Sequence, residues 1–132
     1  MRVMGHNVLA IIVAAIAIYL IEFVIFAVLM TPEQYQALVG LSPEQMHPDR
    51  MPFGPIPPVL FAIGLSFAIK WRAAVGWMGG VMTGLLMAVF FGLAASFYPF
   101  VYGSHDAAYL AVDLGHYLVC FGVAGAILGA WK

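Results

Sequence analysis

Residues 7–30 read NVLAIIVAAIAIYLIEFVIFAVLM, an apolar run broken by one charged side chain, Glu22. A run of that length is what a helix needs to cross a hydrocarbon core of about 30 Å, which takes roughly 20 apolar residues. It is too long for the 7 to 15 residue apolar core of a signal peptide, and no polar domain follows it, so it reads as a retained span despite Arg2 in front and Ala15-Ile16-Ala17 inside.

The rest of the chain repeats the pattern. With 132 residues, 64% apolar and only 8% charged, it cannot form a soluble surface, and it has room for about four spans. We read one domain over 1–132, an all-α membrane four-helix bundle with spans near 7–30, 55–71, 73–97 and 107–131. The second is the weak one. Its uninterrupted apolar part, 57–70, covers only roughly 21 Å, so it must borrow the Pro-rich stretch before it, run past Lys70, or leave a local depression in the bilayer.

Between the first two spans lies the main polar segment, 31–54. Thr31-Pro32-Glu33 and Ser42-Pro43-Glu44 are helix-start signals and Gly40 is a stop, so short surface helices are expected there. Tyr35, Leu38, Val39 and Leu41 would lie at the bilayer interface or cap the bundle. Pro52, Pro55, Pro57 and Pro58 belong to a loop or a first helical turn.

Arg2, Lys70, Arg72 and Lys132 share one side and Arg50 stands on the other. The excess marks the cytoplasmic side, which puts both termini in the cytoplasm. Trp71, Trp131, Tyr98, Tyr102 and Tyr109 near the span ends fit an aromatic belt.

Ionisable groups at membrane depth are costly, so they face a bundle interior, a partner or water, and are functional candidates. On this topology Glu22 lies roughly 12 Å below the outer end of its span, and Asp113 and His116 roughly 9 and 14 Å below theirs. All three share one level. His105, Tyr109, Asp113, His116 and Cys120 follow spacings of three and four along one helical face, and Tyr19 is three residues from Glu22. If spans one and four are neighbours, the cluster is Glu22, Asp113, His116, Tyr19 and Tyr109, in a polar pocket opening outward.

Three chemistries suit such a cluster. Asp113 and His116 with Glu22 resemble the carboxylate and imidazole sets that bundles use for a divalent metal ion. Carboxylate and imidazole together suit proton handling, and a hydrogen-bonded network that fixes helix register is the third. His47, Asp49, His105 and Asp106 stand in the outer loops and could add ligands.

A second pattern is a ladder of small residues, Gly76, Gly80, Gly84, Ala88 and Gly92, matched in span four by Gly122, Gly125 and Gly129 with Ala126 and Ala130. Such ladders let backbones approach closely in lipid. Spans three and four should pack tightly.

Several classes drop out. A net charge of −1 with no basic run gives nucleic acid no footing. The single Cys120 excludes an intramolecular disulfide or CxxC pair, and no GxSxG, HExxH or GxGxxG motif is present, so catalysis is not expected.

The closing stretch, Asp113-Leu114-Gly115-His116-Tyr117-Leu118-Val119 followed by Gly125-Ala126-Ile127-Leu128-Gly129-Ala130-Trp131, resembles the end of the small bacterial four-helix membrane proteins grouped as domain of unknown function 1761. The leading span with its Tyr and polar residue, and the outer loop with short helices, resemble that group too. The resemblance implies a bacterial inner membrane and a multi-pass topology, and brings no activity. The expectation is therefore a binding or accessory subunit of a larger membrane complex. The alternative is a proton- or ion-coupled small-solute transporter or metal-binding protein working as a homo-oligomer. Partners would be the lipid bilayer and other subunits or a second copy.

Overall fold

Four helical stretches long and apolar enough to cross a membrane build the chain: Val8–Val28, Pro48–Trp71, Gly76–Tyr102 and Ala107–Ala130. This is the mark of a multi-pass membrane protein. The computed structural model describes residues 1–131; Lys132, one of the charges used for orientation, lies outside the described residues.

The first stretch is helix α1, Val8–Phe23, continued by a π-helical segment, Val24–Val28. Asn7 caps it by accepting from the Ala10 N–H at 3.4 Å. Before it, a two-residue antiparallel hairpin pairs Arg2–Val3 with His6–Asn7 through a turn in which Met4 and Gly5 both have positive φ.

Helix α2, Pro32–Val39, is the short loop helix. Thr31 accepts from the Gln34 N–H at 3.2 Å while the Gln34 side chain accepts from the Thr31 N–H at 2.9 Å, a complete capping box. Hydrogen bonds from its own N–H and from Thr31 hold the Glu33 carboxyl below its usual range. Gly40, at φ 67°, ends the helix in the left-handed conformation. Loss of the cap in Thr31→Ala is expected to cost about 1 kcal/mol. Faster amide exchange confined to α2 would register it, and unchanged exchange there would sink the assignment.

Span two reaches across by the Pro-rich stretch, one of the three routes left open. A 3₁₀ segment, Pro48–Phe53, leads through Gly54 and Pro55 into α3, Ile56–Trp71. The prolines are the reason this works, because Pro48 opens the 3₁₀ segment and Pro57 and Pro58 sit in the first turn of α3, where no N–H is needed. No depression of the bilayer is required.

Span three is α4, Gly76–Met87, then a π-helical segment, Ala88–Leu93, then α5, Ala94–Tyr102. The span was expected to end near residue 97, before Tyr98-Pro99, but the helix runs on to Tyr102. Pro99 removes one helical N–H, but its carbonyl accepts from Gly103 and His105 at 3.1 and 3.3 Å, which closes the final turn beyond it.

Span four is one helix, α6, Ala107–Ala130, capped by Asp106, which accepts from the Tyr109 N–H at 2.9 Å. It is the central element, in contact with α1, α3, α4 and α5. Ala10, Ala14, Ala15 and Ile18 of α1, Ala62, Leu65 and Ile69 of α3, and Cys120, Phe121, Ala124 and Leu128 of α6 form the core with Ala88. These side chains are mostly small. The helices therefore meet at short range, and the closest approach joins α4 to α6: a Cβ added at Gly80 would stand 1.9 Å from the Gly125 carbonyl oxygen, and one at Gly84 2.0 Å from that of Phe121.

Candidate functional site

Asp113 and His116 are three apart on α6, hence on one face, and the bundle turns that face inward. Both are buried, at 6% and 7% exposure. His116 Nδ1 stands 3.2 Å from Asp113 Oδ1, and its other nitrogen, Nε2, stands 3.3 Å from Glu22 Oε1 on α1. The Glu22 side chain keeps 22% of its surface open.

At the far end, Ser96 of α5 is hydrogen-bonded to Asp113 Oδ2. Four side chains from three spans thus form a line: Glu22, His116, Asp113, Ser96. The Ser96 hydroxyl also lies 3.1 Å from the Gly92 carbonyl oxygen. Apolar rings close the sides, with Phe26 edge-on to the imidazole at 5.2 Å between ring centres and Tyr117 beside it at 4.8 Å.

Local helix geometry places the outer members. The π segments abut the line from opposite directions, since Val24–Val28 follows Glu22 and Ala88–Leu93 precedes Ser96. A step of four residues overshoots an α-helical turn by about 40°, so the ladder Gly76, Gly80, Gly84, Ala88, Gly92 would wind off its face. The wider turns of the π segment take back part of that drift. One more step of four then reaches Ser96.

Hydrogen-bond arithmetic shows what the line can do. A neutral imidazole has one donor and one acceptor nitrogen, whereas an imidazolium has two donors. With His116 charged, both ring N–H groups donate to carboxylates. With His116 neutral, Glu22 as an acid donates to Nε2 and Nδ1–H donates to Asp113. Both arrangements hold the same protons and differ only in where one of them sits across the 3.3 Å gap. A further proton on Asp113 Oδ2 would be donated to Ser96, whose own O–H then turns to Gly92. No link is lost.

Other residues singled out in the sequence stand elsewhere. Tyr19 is 42% exposed and borders the loop, with its Cε2 atom 3.8 Å from where a Gly54 Cβ would be. A residue three positions from Glu22 shares its general side of α1, but α3 and α6 flank adjacent sectors of that side. Tyr109 stacks near His105, with ring centres 3.8 Å apart, and is not hydrogen-bonded to the line. Asp106 is a helix cap, and His47 and Asp49 form an exposed pair at 3.8 Å.

Glu22, Asp113 and His116 do not surround a common point, because the imidazole lies between the carboxylates and presents one nitrogen to each. Among the described residues no group of three or more His, Cys, Asp or Glu side chains is arranged to hold a metal ion. Where an outward pocket was expected, Phe26 and Tyr117 lie against the imidazole. The described residues also border two cavities. One, of about 230 Å³, is an apolar groove bordered by Leu60, Phe61, Phe91, Gly92, Tyr117 and Phe121. The other, of about 320 Å³, is at the opposite end of the bundle.

Of the small-residue ladder, Gly80, Gly84, Gly125 and Gly129 make the close α4 to α6 contact, Gly76 lends its carbonyl to the Gly129 contact, and Gly92 receives the Tyr117 ring, while Gly122 has only ordinary contact with Leu85. Ala88 is fully buried. The sequence reading missed Ser96. Its signal was the ladder itself, which reaches that hydroxyl at the next step.

The model of a family described as protein of unknown function (DUF1761) matches residues 9–129. No curated protein and no solved structure matches the chain.

Proposed function

The chain belongs to the DUF1761 family of proteins of unknown function, and we propose that the line Glu22, His116, Asp113, Ser96 is a proton-binding site within the membrane, the working part of a small binding or accessory unit. One observation carries this reading: each side chain from Glu22 to Ser96 keeps a hydrogen-bond partner while one proton is added or moved, the single Ser96 proton going to Asp113 before the addition and to the Gly92 carbonyl after it. With two carboxylates and one imidazolium the line carries a net charge of −1, and one added proton makes it neutral. In a medium that penalises charge, such a group changes state when its surroundings change.

The setting we propose is a bacterial inner membrane with both termini cytoplasmic, supported by Arg2, Lys70 and Arg72 at one end of the spans against Arg50 at the other. Glu22 would then face the outer leaflet's half of the bundle, where its open surface gives a proton or a polar solute access. Binding is proposed rather than catalysis, since the line offers no activated nucleophile. Purification in mild detergent tells whether the unit works within a larger complex or as a homo-oligomer, because foreign chains accompany it in the first case and copies of itself in the second.

Infrared difference spectra of the reconstituted protein, taken across the range where carboxyl and imidazole groups ordinarily titrate, test the site. Glu22→Gln is expected to remove one carboxyl band from the difference spectrum and to shift the imidazole bands of His116, with helix content unchanged by circular dichroism. A variant spectrum identical to that of the parent overturns the reading.

A further inference from the structure

The cavity of about 320 Å³ lies where the chain's two ends meet, and its wall includes Arg2, His6, Asn7, Ser66, Lys70 and Trp131. Its size is at the lower end of the range for small-molecule sites, about 300 to 1,000 Å³. We propose that this cavity binds a phosphate group, the chemistry shared by a phospholipid headgroup and a soluble phosphate compound.

Charge is the first argument. Two permanent cations line the cavity and no carboxylate among the described residues does. All six acidic residues, Glu22, Glu33, Glu44, Asp49, Asp106 and Asp113, belong to the other half of the bundle or its loops. The Arg2 guanidinium has no partner among the described residues. Lys70 spends one of its three N–H donors on the Met4 carbonyl at 2.6 Å and keeps two. Arg72 differs, because it is already bound to Thr83 at 2.9 Å and does not line the cavity.

The second argument is how the wall is built. Met4, at φ 51°, holds a left-handed conformation that disfavours any residue but glycine, and Gly5 follows at φ 79°. The turn folds Arg2 and His6 back over the end of α3. A Cβ on Gly5 would stand 2.8 Å from Lys70 Nζ, so glycine leaves room for the ammonium. Asn7 ties the hairpin to the end of α6 by donating to the Trp131 carbonyl at 3.0 Å. His6 is 8% exposed, and its Nδ1 pairs with Ser66 Oγ at 2.8 Å while Nε2 has no partner among the described residues. A wall so fixed keeps unspent hydrogen-bonding capacity.

Depth supplies the third. Trp71 and Trp131 flank this end of the bundle, both exposed, as residues at the headgroup level are. Phosphate is the anion abundant there, and Ala10, Ile69 and Leu128 give the cavity an apolar side that a lipid would use.

Thermal unfolding of the full chain in neutral detergent, with added phosphatidylglycerol, phosphate-free diacylglycerol or inorganic phosphate at constant ionic strength, tests this. A saturable rise in Tm with phosphatidylglycerol alone supports a lipid headgroup. A rise with inorganic phosphate, alone or as well, supports a soluble phosphate compound. Removal of each cation, in Arg2→Gln and in Lys70→Gln, is expected to weaken the apparent affinity about fivefold, and Arg2→Gln leaves the Lys70 bond to Met4 intact. Arg72→Gln should leave the affinity unchanged. The proposal is overturned if neither phosphate source raises Tm, if diacylglycerol acts as strongly as phosphatidylglycerol, if Arg2→Gln binds like the parent, or if Arg72→Gln weakens binding as much.

Discussion

Gly80→Ala is expected to be among the most damaging single-methyl substitutions in this chain, lowering stability by about 3 kcal/mol or more, at or beyond the upper end of the usual cost of overpacking. The added Cβ would stand 1.9 Å from the Gly125 carbonyl oxygen. A flexible side chain could swing aside, but a helical carbonyl is held by its own hydrogen bond, so α4 and α6 must part along their whole contact. Close packing is the main attraction between helices in lipid, and the loss spreads beyond the one site. Gly115→Ala is the control, since nothing lies within 4 Å of its Cβ position. There the gain in helix propensity, about 0.5 to 1 kcal/mol, should dominate. Thermal unfolding in detergent should move Tm in opposite directions for the two variants. Equal shifts would mean that the helices do not meet in this register.

His116→Leu is expected to cost about 3 to 5 kcal/mol, because it strands the Glu22 and Asp113 carboxyl groups without the imidazole that both face. That exceeds the worth of ordinary polar contacts between membrane helices, roughly 0.6 to 2 kcal/mol. The difference lies in what is left behind. Replacing Glu22, Asp113 and His116 together by leucine removes every stranded group and is expected to recover most of the stability. Should the triple variant prove less stable than His116→Leu alone, the line is a net stabiliser and its retention needs no functional reason. Recovery of stability would leave function as the reason for keeping a costly group.

Much of the fold was legible because lipid imposes strict rules. Four apolar runs fixed the spans, and Thr31, Pro32 and Gly40 fixed the loop helix, since caps and stops are local chemistry. Span two was left with three routes because Pro52 and Pro55 look like loop residues one at a time. Their fixed φ suits a 3₁₀ turn, and only the continuation into Ile56–Trp71 reveals it. Pro99 misled in the same way.

At the site, burial cost was the legible quantity. It singled out Glu22, Asp113 and His116, whereas Ser96 carries no charge and hides in an apolar run. Spacing gave a face and no more than a face, so it grouped Tyr19 and Tyr109 with a line to which neither is hydrogen-bonded. Nor does spacing say whether a space is filled. Phe26, four residues from Glu22 and an ordinary apolar residue in sequence, lies against the imidazole.

The six residues Ala88–Leu93 divide span three into storeys with different mechanical character. On one side, glycines interlock α4 with α6 so closely that sliding is blocked; on the other, α5 is held to α6 through the bond between Ser96 and Asp113. The wide coil between them separates the two kinds of contact. On the proposed function, a proton arriving at Asp113 would act on the storey that the glycine contact does not clamp.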